Sequence, residues 1–122
     1  MKKILIVEDD QFLTDAYYAR FSYDKTVKVK VDVARDGNEA FSKIINDKPD
    51  VVILDLVMPN LDGYGLLQAL KNAKVSLPIL VSSNLDSQED IRRAIDLGAR
   101  DYFIKSDSTV QDIVDKALSI MH

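Results

Sequence analysis

Five short runs rich in Val, Ile, Leu and aromatic residues divide the chain: Ile4–Val7, Val27–Val33, Val51–Leu54, Ile79–Val81 and Tyr102–Ile104. Each has the length and composition of a strand. Between them the apolar residues recur at helical spacing. A first helix is expected from near Asp10, with Leu13, Tyr17 and Phe21 on one face. A second is expected over Gly37–Asn46, with Ala40, Phe41, Ile44 and Ile45 as its apolar stripe. A third runs over about Gly63–Ala73 with Leu66, Leu67 and Leu70; a fourth over about Ser87–Leu97, stopped by Gly98; a fifth over about Ser108–Ile120. Asp36-Gly37, Lys48-Pro49, Pro59-Asn60, Asp62-Gly63 and Leu77-Pro78 supply the turns.

Five strand-then-helix units with apolar strands predict an α/β domain, a parallel sheet covered by helices on both faces. VKVKVDV alternates apolar with charged residues and suits a half-exposed edge strand. The runs at Ile4 and Val51 have no such alternation and suit the centre. A length of 122 residues fits one domain over residues 1–122, with no internal repeat or linker in the pattern.

Composition narrows the function. The chain is 47% hydrophobic and 30% charged, as in globular proteins. A net charge of -4 offers no general attraction to nucleic acid or to an anionic membrane. No apolar run approaches the roughly 20 residues of a membrane span. The start, MKKILIVEDD, meets three acids after Val7, too soon for a secretory signal. There is no cysteine, hence no disulfide or thiolate metal site, and a cytoplasmic location is expected. His122, the single histidine, is at the tail and suits neither a metal site nor a phosphate relay.

The candidate chemistry falls at the carboxyl ends of the expected strands, where open α/β sheets bind ligands. Glu8, Asp9 and Asp10 follow the first strand, Asp55 the third, Ser82 and Ser83 end the fourth, and Lys105 follows the fifth. Alone, Glu8-Asp9-Asp10 reads as a capped helix start. Asp55 changes that reading if the first and third strands are neighbours. Two like charges ~4 Å apart cost roughly 4 kcal/mol at an effective dielectric near 20. Three together require a cation, raised pKa values, or both. All-oxygen ligation of this kind matches Mg²⁺ better than Zn²⁺. Lys105 can pair with Asp55 or with a charged group that Asp55 carries.

The motifs ILIVEDD, ILDLVMPNLDG and DYFIK, with Ser83 between the last two, occur in this order at matching strand ends. In this the chain resembles the receiver domain of bacterial two-component response regulators, from about Lys2 to Met121. The resemblance implies a flavodoxin-like, doubly wound (βα)5 fold with strand order 2-1-3-4-5. It implies that Asp55 accepts a phosphoryl group from a sensor histidine kinase or phosphotransfer protein. Mg²⁺ would be held by Asp9, Asp55 and the Val57 backbone carbonyl, with Glu8 helping through water, and Lys105 would stabilise the phosphoryl charge. Ser83 would then move inward and Tyr102 turn after it, shifting an existing equilibrium at the face formed by the fourth helix, fifth strand and fifth helix. The domain would act on a downstream protein or output domain, with a phosphorylation-dependent dimer as one form. It would not touch nucleic acid itself. It would catalyse its own phosphotransfer and dephosphorylation without being a turnover enzyme.

Five positions depart from or qualify the pattern. Ser83 is chosen over Ser82 because it lies five residues after Pro78 and 22 before Lys105. Asn84 replaces a small residue, and Ser106 stands where a proline usually follows the lysine. The resemblance further implies that the residues two after Asp55 and two after Ser83 flank the path of the hydrolytic water. Here these are the apolar Val57 and Leu85, which can neither orient it nor act as a base, so self-dephosphorylation is expected to be slow relative to receivers with polar residues there. Competing readings are a haloacid dehalogenase-type phosphatase, which needs an acid where Val57 stands, and a flavin or nucleotide binder, whose phosphate Glu8-Asp9-Asp10 would repel. A degenerate receiver acting only as an interaction module is a third.

Overall fold

A computed structural model describes residues 1–121; His122 lies outside the described residues. Strands and helices alternate throughout: β1 (Lys2–Val7), α1 (Gln11–Tyr23), β2 (Val29–Ala34), α2 (Gly37–Asp47), β3 (Val51–Leu54), α3 (Gly63–Asn72), β4 (Ile79–Ser83), α4 (Gln88–Asp96), β5 (Asp101–Ile104) and α5 (Val110–Met121). All strand pairs are parallel, in the order β2-β1-β3-β4-β5. The expected architecture is the observed one.

Strand alternation divides the core in two. Leu5 and Val7 of β1, with Val52 and Leu54 of β3, face α2, α3 and α4 through Ile44, Leu66, Leu67 and Ala94. Ile4 and Ile6, with Val51 and Ile53, face α1 and α5 through Tyr17, Phe21, Ile113 and Leu118. Both faces of the central strands are therefore dry, which is why their sequences read as unbroken apolar runs. Burying each Leu, Ile or Phe side chain contributes about 1.5–3 kcal/mol.

The helices begin where side chains satisfy their first amides. Asp10 accepts from Phe12 and Leu13, Asp36 from Glu39, Asp62 from Gly65 and Ser87 from Asp90. At α5 Thr109 accepts from the Asp112 amide, so the helix starts at Val110 rather than Ser108. Strand β2 starts at Val29, not Val27, because its first partner is Lys2, where β1 begins. Strand β1 runs two residues ahead of its apolar stretch because backbone pairing continues through the exposed Lys2 and Lys3. In α2 Ile45 is exposed while Ala40 and Ile44 are buried, so the stripe is narrower than its sequence suggests.

Candidate functional site

The register sets the site. Val7 pairs with Leu54, so the next residues, Glu8 and Asp55, leave adjacent central strands side by side. The Asp55 amide donates to the Val7 carbonyl at 2.9 Å, holding its backbone on β1. Asp55 and Glu8 are buried, whereas Asp9 is exposed at the rim. One carboxylate oxygen from each of Glu8, Asp9 and Asp55 lies within 4.8 Å of the others.

Lys105 reaches this cluster from the end of β5. Its Nζ is 2.7 Å from Glu8 Oε1 and 3.6 Å from Asp55 Oδ2. The lysine is thus shared, and its shorter contact is to Glu8 rather than to the Asp55 expected from sequence. The remaining oxygens are also engaged. Glu8 Oε2 accepts from the Asp9 and Asp10 amides at 3.1 and 3.3 Å, and Asp55 Oδ1 accepts from the Val57 amide at 3.2 Å. Burial raises the Glu8 pKa to about 7 even though Lys105 pulls it down, and the nearby Asp55 charge adds to the rise. Burial works against the charge on Lys105, but the hydrogen bond to Glu8 and the attraction of both carboxylates leave its pKa above the ordinary value.

The two serines separate onto opposite faces of β4. Ser82 accepts from the Tyr17 hydroxyl at 3.5 Å on the α1 side. Ser83 is wholly buried, and its Oγ accepts from the Leu85 amide at 3.2 Å. Tyr102 meets the same loop, donating its hydroxyl to the Leu85 carbonyl at 2.5 Å. Burial raises the Tyr102 pKa, a hydrogen bond with Ser83 eases the rise, and Asp90, Asp86 and Asp55 add to it. The Lys105 amide donates to the Ser83 carbonyl at 2.8 Å, so the hydroxyl-bearing and lysine-bearing strand ends are tied together. The Lys105–Ser106 bond is trans, as are all peptide bonds among the described residues.

Val57 is 60% exposed, so it does not pack, while Leu85 is partly buried against the core. Sequence reasoning missed the clip that holds the loop after Asp55. There the Gly37 amide donates to the Leu61 carbonyl at 2.7 Å, and Asn60 Nδ2 donates to Asp36 at 2.9 Å. Asn60 adopts a left-handed φ of 61°, for which Pro59-Asn60 was the available signal.

The donor set fits a hard divalent cation: three carboxylates within reach of one another, oxygen ligands only, one of them facing solvent at Asp9. Among the described residues no helix is long and apolar enough to cross a membrane.

Comparison with known proteins agrees with this arrangement. The response regulator receiver domain family matches residues 4–117. The response regulator MprA of Mycolicibacterium vanbaalenii is 37% identical over 103 residues, covering 84% of this chain and 43% of MprA. The chain therefore spans under half the length of the curated relatives it matches. The Francisella response regulator 1452 receiver domain superposes with a TM-score of 0.88 at 28% identity, covering 98% of this chain and 96% of that one. The BeF3-activated receiver domain of Klebsiella pneumoniae RstA gives 0.78 at 28% identity over 99% and 100% of the two chains. The chain belongs to the response regulator receiver domain family of two-component systems. Receiver domains are signalling domains rather than turnover enzymes.

Proposed function

We propose that this domain is a phosphorylation-dependent switch whose acceptor is Asp55, loaded by the phosphohistidine of a sensor histidine kinase or phosphotransfer protein. In the transfer a P–N bond to the donor histidine breaks, a P–O bond to an Asp55 carboxylate oxygen forms, and the departing imidazole takes a proton. One observation carries the reading: Asp55 ends a rigid central strand with two further carboxylates beside it and the Lys105 ammonium at 3.6 Å.

The residues have separable tasks. The Val57 amide orients the Asp55 carboxylate by holding Oδ1. Lys105 lies where it can follow negative charge from Asp55 onto a phosphoryl oxygen. Asp9, Asp55 and the Val57 carbonyl would hold Mg²⁺, assisted by Glu8. When bound, that ion supplies positive charge to the phosphoryl oxygens. Ser83 and Tyr102, both hydrogen-bonded to the backbone of Leu85, carry the change to α4, β5 and α5, the face offered to a downstream protein or output domain. A dimer that forms on phosphorylation is one such readout.

The test is incubation with a small acyl phosphate and Mg²⁺, read by intact-protein mass. The expected product carries one phosphoryl group, and Asp55→Ala carries none. Phosphoryl retained by Asp55→Ala would falsify the assignment.

A further inference from the structure

Helix α4 is the least buried of the five, with Ala94 its single buried residue. Polar contacts at its first turn hold it instead. The Tyr64 hydroxyl shares its proton between the backbone oxygen and Oδ1 of Asp90, each at 3.1 Å. Asp90 Oδ2 accepts from the Ser87 hydroxyl at 2.7 Å, and the Asp90 amide donates back to Ser87 Oγ at 3.0 Å. The Arg93 guanidinium lies 4.0 Å from the centroid of the Tyr64 ring.

Tyr64 is itself joined to the acceptor segment. Its neighbour Gly63 donates to the Leu56 carbonyl at 3.0 Å. The backbone at Gly63 is so close that a Cβ there would lie 2.6 Å from Leu56 Cα and 2.7 Å from the Asp55 carbonyl. From the other side Tyr102 binds the Leu85 carbonyl, just ahead of α4. Two tyrosine hydroxyls thus act on the same weakly buried helix: that of Tyr64 on α3 holds its first turn, and that of Tyr102 on β5 holds the loop leading into it.

We propose that Tyr64 is a positioning residue which, with Asp90, latches α4 and keeps Tyr102 seated on Leu85. The segment after Asp55 thereby gains a route to α4 separate from Ser83. This rests on the reading of α4 as part of the switch. Simple packing by the ring is the competing explanation, and Tyr64→Phe separates the two because it keeps the ring and removes only the hydroxyl.

Amide hydrogen exchange of the full chain, without phosphodonor, is the first measurement. In Tyr64→Phe the amides of Ile91–Ala94 should exchange about two- to tenfold faster, the range of one lost hydrogen bond, with β1 and β3 unchanged. The Tyr102 ring resonances should move toward solvent-exposed values. Unchanged α4 exchange, or equal acceleration through the whole chain, overturns the latch. Beryllofluoride with Mg²⁺, a phosphoryl mimic, is the second measurement. The proposal takes the form with Tyr102 seated on Leu85 as the one this mimic selects, so its affinity should fall about two- to tenfold in Tyr64→Phe. Unchanged affinity in the variant overturns the latch, whereas failure of the unaltered chain to bind overturns the phosphoacceptor reading.

Discussion

Val57 and Leu85 are alike in sequence, both apolar and both two residues beyond a proposed site side chain, yet their surroundings differ. Val57 is open to solvent at the rim of the acid cluster, while Leu85 is partly buried, with both backbone polar groups engaged by Ser83 and Tyr102. Of the two, Val57 is free to be exchanged without disturbing the fold. Val57→Asn places an amide beside Asp55 that can orient water, and should shorten the phosphoryl lifetime by roughly threefold or more. Decay of the radiolabelled phosphoprotein measures it. Equal lifetimes for Val57→Asn alone and for Val57→Asn with Leu85→Glu, both matching the unaltered chain, would remove any tuning role for the pair. The site's composition was readable from residue order, because Glu8, Asp9, Asp55, Ser83 and Lys105 all follow or end apolar runs. The sharing of Lys105 between Glu8 and Asp55 was not, since that depends on how far β5 places the lysine along the neighbouring strands.

Elements place these residues through contacts that leave no room for a side chain. Gly63 opens α3 against the backbone of Asp55 and Leu56, and a methyl group there would sit 2.7 Å from the Asp55 carbonyl. Gly63→Ala is therefore expected to cost about 1–3 kcal/mol, as overpacking does. It should also slow phosphorylation, because relief of the clash moves the acceptor's own backbone. Urea titration gives the first quantity and initial rates with an acyl phosphate the second; a variant normal in both would show that the loop yields freely. Strand and helix identities followed from period alone, whereas the ends of β1, β2 and α5 did not. Those ends are set by pairing partners and caps, which connect residues distant in sequence or depend on one hydroxyl such as that of Thr109.

For the whole molecule, the acid cluster is a charge imbalance at the rim of the sheet, and Lys105 is the protein's own partial remedy. Removing it leaves the buried Glu8 and Asp55 without their cation. Lys105→Met should lower stability in a chelator by about 1–3 kcal/mol, less than the ~3–5 kcal/mol of a fully buried pair because the lysine retains some exposure. Mg²⁺ should then raise the melting midpoint of the variant more than that of the unaltered chain, since one cation replaces another. Identical midpoints in chelator would show that the cluster is relaxed by water alone. At the same scale, the thin burial of α4 carries a thermodynamic consequence. Carrying a two-state protein from 1:99 to 99:1 takes about 5.5 kcal/mol of differential binding, and here almost none of it must be spent on stripping apolar surface. Heat-capacity change follows apolar area, so the equilibrium at α4 should have nearly none. Its van 't Hoff plot should be straight, so that the balance measured at two temperatures fixes it at every other temperature in the range.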